Sequence, residues 1–144
     1  MGQYHKLVNL DKQEYVEPYG LGLGAKQYEQ VGGFDGSLAD AQYILTMTSP
    51  ARGGGDFPPT DISARWAGDR VVIVGDYSVD EDLPSFPDFG KVYGQATEGS
   101  MEWHDITYLV RDAFHKVFQV DFEEKVNSFG GGTSWVSVQR SVLT

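Results

Sequence analysis

The segment ARWAGDRVVIVGDY, residues 64–77, contains four consecutive branched apolar residues at positions 71–74. They do not alternate with polar residues, which is typical of a strand that is covered on both faces. Ala67-Gly68-Asp69 can form a short turn, so the sequence predicts a hairpin with strands at residues 62–66 and 70–77. Residues 71–74 are therefore the predicted central strand of the sheet.

Apolar spacing predicts two main helices. Ser37 is a good N-cap for a helix over residues 38–48, which Pro50 would end. Asp105 is the predicted N-cap of a second helix, because the apolar residues that follow it recur three and four positions apart. This stripe consists of Ile106, Leu109, Val110, Ala113, Phe114, Val117 and Phe118.

Further strands are predicted near both ends of the chain. Residues 4–9 and 14–16 read as an N-terminal hairpin, and residues 134–143 as a closing strand. A short helix is expected at residues 25–31. Together the elements predict an α+β fold over residues 1–144: a single domain with a mostly antiparallel sheet, two main helices and long Gly/Pro-rich loops.

The composition excludes several functional classes. Eleven lysine and arginine residues oppose 21 aspartate and glutamate residues, a net charge of -10, so we expect no nucleic-acid partner. The chain has no cysteine, which excludes disulfides, thiolate zinc sites and cysteine nucleophiles. It also has no apolar run of membrane-spanning length and no signal-peptide pattern at its start, so we expect a cytoplasmic protein without membrane contact.

An acidic run follows the predicted central strand. Asp76, Asp80, Glu81, Asp82 and Asp88 supply five carboxylates without an intervening basic residue. Such oxygen ligands can hold Ca²⁺ or Mg²⁺, but the EF-hand pattern is absent and two prolines stiffen the segment. We therefore predict no metal site here. The acids indicate either a solvated loop or a surface that meets a basic patch on a protein partner.

Other residues suggest a ligand site. Asp69 and Asp76 lie at the two ends of the predicted central strand, and His104-Asp105 matches the metal-binding dipeptide of HD phosphohydrolases. Such sites need more histidines than the three in this chain, and Asp105 also fits as a helix N-cap. We retain Asp69, Asp76 and His104 as an alternative ligand site.

Two more patterns favour ordinary structure over chemistry. Gly20-x-Gly22-x-x-Ala25 resembles a phosphate-binding loop, but Pro18 breaks the strand that should precede it. No Gly-x-Ser-x-Gly elbow accompanies His5, His104 or His115, so no nucleophile is singled out.

Most of five aromatic residues near the loops are expected in the core: Phe57, Phe86, Phe89, Trp103 and Trp135.

Two segments of the chain resemble a group of short uncharacterised proteins from actinobacteria and their phages. They are residues 1–18, MGQYHKLVNLDKQEYVEP, and residues 64–77, ARWAGDRVVIVGDY. The resemblance covers about half of the chain, chiefly residues 1–30 and 64–77. It implies a bacterial or phage cytosolic setting. It implies no activity, cofactor or catalytic residue.

The leading functional hypothesis is a non-enzymatic, acidic phage-type protein that works through contact with another protein, for example a host factor. One alternative is a virion or assembly component, in which neighbouring subunits would order the triple-glycine turns at residues 53–55 and 130–132 and the chain would form a homo-oligomer. Another is a small metal-dependent hydrolase or nucleotide-binding protein that uses Asp69, Asp76 or His104. No cofactor is predicted.

Overall fold

A computed structural model describes residues 4–21, 37–48, 58–126 and 133–139. The strands are β1 (His5–Asn9), β2 (Glu14–Val16), β3 (Val71–Gly75), β4 (His104–Asp105), β5 (Val120–Val126) and β6 (Thr133–Gln139). The helices are α1 (Leu38–Thr46), α2 (Val92–Gln95) and α3 (Thr107–Phe118), with 3₁₀ turns at Pro18–Leu21, Asp80–Asp82 and Phe89–Lys91. The fold is α+β, as predicted.

β1 lies at the centre of the main sheet, whose order is β3-β1-β2-β4. β1 and β2 form the predicted N-terminal hairpin, in which Leu7 faces Val16. Asn9 ends β1 because its side-chain Oδ1 accepts hydrogen bonds from the backbone N–H groups of Asp11 and Lys12, at 2.9 and 2.8 Å. β4 adds to β2 in parallel, so the sheet is mixed, with two antiparallel pairings.

The prediction that residues 71–74 form the central strand is wrong. β3 is an edge strand, antiparallel to β1 along its whole length, and all five residues of β1 are buried. Both faces of β3 are nevertheless covered, since Val71 and Ile73 pack on one apolar cluster and Val72 and Val74 on another. Covered faces explain the missing alternation, but they do not reveal whether the strand has one neighbour or two.

Residues 62–66 form turns, so the predicted second hairpin is also wrong. This segment ends α1: the backbone N–H groups of Ala64 and Trp66 donate to the carbonyl oxygens of Ile44 and Leu45, at 3.2 and 2.8 Å. The last carbonyls of a helix lack partners within it, and these turns supply them. Trp66 is fully buried beside the helix. The need to cap α1 therefore outweighs the strand propensity of the segment.

The two main helices are confirmed. In α1, the Ser37 hydroxyl accepts a hydrogen bond from the backbone N–H of Asp40 at 3.3 Å, as an N-cap does. In α3, the predicted stripe is buried or partly buried, but the N-cap is Ile106 and not Asp105. Asp105 still serves the first turn, because its Oδ1 accepts from the backbone N–H of Thr107 at 2.8 Å.

Two apolar clusters cover the two faces of the main sheet. The first lies between the sheet, α1 and α3, and its buried members are Leu7, Val16, Leu21, Leu38, Ala41, Ile44, Leu45, Ile62, Trp66, Ile106, Val110, Ala113, Phe114 and Val120. The second consists of Val8, Leu10, Tyr15, Val74, Phe89, Val92, Ala96 and Trp103. The core positions predicted for Phe89 and Trp103 are confirmed, and Phe86 is partly buried against the second cluster.

β5 and β6 form a separate antiparallel sheet, paired from Val120 with Gln139 to Val126 with Thr133. β6 is the predicted closing strand, whereas β5 follows α3 without a predicted counterpart. The helix expected at 25–31, the phosphate-loop pattern beyond Leu21, the aromatic Phe57 and both triple-glycine turns lie outside the described residues. None of the helices described is long and apolar enough to cross a membrane.

Candidate functional site

The acidic run forms an exposed loop, residues 76–88, which we call the acidic loop. It leaves the end of β3 and contains the 3₁₀ turn Asp80–Asp82. All five of its carboxylate residues are exposed. The structure therefore places Asp76, Asp80, Glu81, Asp82 and Asp88 on one continuous solvent-facing segment.

The acidic loop is held in shape by hydrogen bonds. Asp80 Oδ1 accepts from the backbone N–H of Gly90 at 2.7 Å, and Asp82 Oδ2 accepts from that of Val79 at 3.0 Å. Asp76 Oδ1 accepts from the backbone N–H of Tyr4 at 3.1 Å, which fastens the loop to the start of β1. Three of the acids thus stabilise the loop that displays them.

The other two acids are less engaged. Asp88 lies 4.0 Å from the Lys91 ammonium in an exposed ion pair. Glu81 forms no hydrogen bond or ion pair anywhere in the described part of the chain. Its charge is therefore the one that can be changed with least effect on the loop itself.

Apolar side chains are exposed among these acids. Tyr77 is 64% exposed and Val79 is 50% exposed, and both lie within four residues of Gly75, the buried end of β3. Burial of such apolar side chains by a partner lowers the free energy of the complex. Tyrosine is also frequent in the energetically important centres of protein interfaces. The acidic loop therefore combines negative charge with exposed apolar surface.

The alternative ligand residues are not brought together. Asp69 and Asp76 lie at opposite ends of β3, and His104 lies on β4 at the far edge of the sheet. Asp69 accepts hydrogen bonds from the Lys12 ammonium and from Asn9 Nδ2, the latter at 2.8 Å. These bonds, first that of Lys12, lower the pKa of Asp69 below its ordinary value. Among the described residues, no three histidine, aspartate or glutamate side chains are grouped so that they could hold a metal.

His104-Asp105 also has a structural role. His104 is exposed, and its backbone N–H donates to the carbonyl oxygen of Gln13 at 2.9 Å as β4 adds to the sheet. Asp105 accepts from both the N–H and the hydroxyl of Thr107 at the start of α3. Asp105 therefore stabilises the first turn of α3 from the position before the N-cap Ile106, and it is not the N-cap that the sequence offered as the alternative to metal binding.

A buried carboxylate beside an open cleft was not predicted from the sequence. Glu14 is 6% exposed, and its carboxylate accepts from Arg65 Nε at 3.0 Å, Arg65 Nη2 at 2.5 Å and Trp66 Nε1 at 2.7 Å. Burial alone would raise the pKa of Glu14, but the hydrogen bonds from Arg65 and Trp66 outweigh it and lower the pKa below its ordinary value. Glu14 is therefore charged and fully paired.

The cleft next to Glu14 has a volume of about 540 Å³, and Arg65, His104 and Tyr108 are among the residues that line it. Glu98 and Asp105 line it as well, so its charge is mixed. The Nε and Nη2 groups of Arg65 both donate hydrogen bonds to Glu14. The arrangement is that of a structural ion pair at the edge of an open surface depression.

A second unpredicted pair joins α3 to β5. His115 Nδ1 lies 2.5 Å from Asp121 Oδ1, and three surface clefts of about 210, 510 and 570 Å³ meet at His115. A carboxylate that orients an imidazole occurs in acid–base sites. It also occurs where a histidine in the last turn of a helix meets the helix dipole and a nearby acid, which is the position of His115.

No family model, curated protein or solved structure matches the chain.

Proposed function

We propose that the protein acts without catalysis, by binding a partner protein that has a basic surface, and that the acidic loop makes the contact. The observation that carries the proposal is the combination of five exposed carboxylates with exposed Tyr77 and Val79 on one loop. The carboxylates favour a partner with a basic surface. The apolar side chains stabilise the complex because binding excludes water from their surface.

The shape of the acidic loop supports this role. Its backbone is fixed by the bonds that Asp76, Asp80 and Asp82 accept, so little ordering is required when a partner binds. Binding of preorganised segments loses less conformational entropy than binding of disordered ones. The net charge of -10 adds long-range attraction for a basic partner and raises its association rate at low salt.

The cellular setting rests on the resemblance of residues 1–30 and 64–77 to proteins of actinobacteria and their phages. It favours the bacterial cytosol and a host factor as the partner. The separation of Asp69, Asp76 and His104 removes the geometric support for a hydrolase or nucleotide-binding site built on them.

Photo-crosslinking tests the proposal. A photoreactive phenylalanine derivative is placed at position 77, and in a control at position 43, where Tyr43 is 45% exposed on α1. Both proteins are incubated with an actinobacterial lysate and irradiated. We expect position 77 to capture a protein with a basic surface, and position 43 to capture it much less. Equal capture from both positions would contradict a role for the acidic loop.

A matched pair of charge reversals provides the second test. Glu81→Lys changes the loop charge at a side chain that forms no hydrogen bond or ion pair with the described residues, and Asp61→Lys makes the same change at an exposed acid outside the loop. We expect Glu81→Lys to weaken binding of the captured partner about tenfold at low salt, because like charges then face each other, and Asp61→Lys to leave it nearly unchanged. Unchanged binding by Glu81→Lys would refute the electrostatic contact.

A further inference from the structure

The outer edge of β3 has backbone groups that pair with no residue in the described part of the chain. The N–H of Leu10 donates to the carbonyl oxygen of Arg70, and the N–H of Asp76 donates to that of Tyr4, both at 2.9 Å. In an antiparallel pair, inward-bonding and outward-pointing residues alternate along each strand. With the register of β1 and β3, the two bonds mean that Val72 and Val74 bond to β1. The N–H and C=O groups of Val71, Ile73 and Gly75 consequently point away from it.

One of these outward-pointing residues is already satisfied. The N–H of Gly75 donates to the hydroxyl of Ser78, and the N–H of Ser78 donates to the carbonyl oxygen of Gly75, both at 3.0 Å. Val71 and Ile73 have no such partner for their outward groups within residues 4–21, 37–48, 58–126 and 133–139. The edge therefore offers two donors and two acceptors in one row.

Among the residues that the structure describes, this edge lacks the features that commonly block strand addition. Proteins protect edge strands with charged residues, proline or bulges, or by covering them. β3 has the sequence VVIVG, pairs with β1 without a bulge, and is only partly buried at positions 71–73. An apolar, regular edge strand is a template on which an extended chain can add by backbone hydrogen bonds.

The charge at the end of β3 selects the occupant. A segment that pairs with Val71 and Ile73 and continues past Gly75 reaches Asp76 and the rest of the acidic loop. Those carboxylates complement lysine and arginine side chains. A second copy of this chain would bring its own net charge of -10, which opposes pairing between two β3 edges.

We propose that β3 receives an extended, basic segment of the partner protein as an added strand, with the basic side chains lying over the acidic loop. The inference rests on the proposed function and specifies how the partner binds. Val71 and Ile73 supply up to four backbone hydrogen bonds, and Tyr77 and Val79 contact the segment where it leaves the sheet.

Amide hydrogen exchange of the ¹⁵N-labelled protein tests this, with a synthetic peptide of alternating lysine and valine as the probe. In the free protein we expect the amides of Val71 and Ile73 to exchange much faster than those of Val72 and Val74, which bond to β1. Saturating peptide should slow exchange at Val71 and Ile73 by about tenfold or more, because exchange then requires the added strand to open.

A second peptide, methylated on alternate backbone nitrogens, is the matched control. It keeps the charge and side chains but loses the donors for the carbonyl oxygens of β3, so we expect it to bind about tenfold more weakly. Glu81→Lys should weaken the binding of both peptides. At saturating peptide, the slowed exchange at Val71 and Ile73 should remain.

The outcomes separate this inference from the proposed function. Spectral changes confined to the acidic loop, with unchanged exchange at Val71 and Ile73, would overturn strand addition but leave binding by the loop intact. Slow exchange at both amides in the free protein would show an edge already occupied, by another part of the chain or, if dilution relieves it, by a second copy; either result overturns the inference. No spectral change with any peptide would overturn it too, while the crosslinking test of the loop would stand separately.

Discussion

Replacement of Arg65 by methionine isolates the contribution of the buried ion pair at Glu14. Methionine preserves much of the length of the side chain but removes the guanidinium, whose Nε and Nη2 lie 3.0 and 2.5 Å from the Glu14 carboxylate. The carboxylate is then left with the single hydrogen bond from Trp66 Nε1 at 2.7 Å. We expect the variant to fold, because Arg65 is not part of either apolar cluster.

The expected loss of stability lies between the values for buried and surface pairs. Removal of one partner from a buried ion pair costs about 3–5 kcal/mol, whereas an exposed pair contributes about 0–1 kcal/mol. The Glu14 side chain is 8% exposed but that of Arg65 is 39% exposed, so water screens part of the interaction. We therefore expect Arg65→Met to lower the free energy of unfolding by about 2 kcal/mol at pH 7.

The effect should depend on pH with a definite sign. The pKa of Glu14 is lowered in the folded protein from its reference value of 4.5, so its contribution to stability is present above that value and is lost as the pH falls through the folded pKa. Without Arg65, burial raises the pKa of Glu14, and protonation at acid pH then relieves the unpaired charge. The stability difference between wild type and variant should consequently narrow as the pH falls from the raised pKa of Glu14 in the variant, above 4.5, to its lowered pKa in the wild type.

Urea unfolding at several pH values between neutral and acid measures this difference. Arg70→Met is the matched control, because Arg70 pairs with Asp11 on the surface, with side chains 60% and 36% exposed. Its effect should be much smaller than that of Arg65→Met. A difference for Arg65→Met that is as small as for the control, or that stays constant down to acid pH, would refute the account of Glu14 as a buried, paired carboxylate.

Three further substitutions test the packing, each by urea unfolding. Ser37→Ala should cost about 1 kcal/mol, since the hydroxyl that accepts from the N–H of Asp40 is lost; Ser37→Asp should retain most of the stability. Phe114→Ala should cost about 3–5 kcal/mol because Phe114 is fully buried, and a loss below about 1 kcal/mol would contradict its core position. Gly20→Ala should cost about 1–3 kcal/mol, because its Cβ would lie 2.5 Å from Thr107 Cγ2. Thr107→Ser removes that methyl group, so Gly20→Ala should cost less in this background.

Local patterns in the sequence predict the helices and the hairpin well. The N-cap at Ser37 and the apolar stripe of α3 depend on residues within a few positions of each other, and the structure confirms both. Strand order depends on contacts between distant residues. Both faces of β3 are covered, as in a central strand, although β3 lies at the edge of the sheet. The turns at residues 62–66 provide hydrogen-bond donors for the carbonyl oxygens of α1. The sequence of those turns does not reveal this distant requirement.

The same difference explains which features of the candidate site were visible in the sequence. The acids of the loop lie within thirteen residues, so their exposure on one segment could be predicted from composition. Glu14 meets Arg65 and Trp66 across more than fifty residues of chain, and His115 meets Asp121 across the end of α3, where Gln119 has a left-handed conformation. No local pattern marks either pair.

The acidic loop shows why charge alone is a poor guide to function. Asp76, Asp80 and Asp82 each accept a hydrogen bond from a backbone N–H, so their removal would disturb the loop as well as its charge. A variant that replaces every acid would lose binding if the acids contact the partner. It would also lose binding if the acids only maintain the structure of the loop, because the loop would then be disturbed. Glu81 has no such bond within the described chain, and its substitution changes charge while the loop hydrogen bonds persist. Among the five acids, substitution of Glu81 therefore separates most cleanly the charge of a binding surface from the structure of the loop.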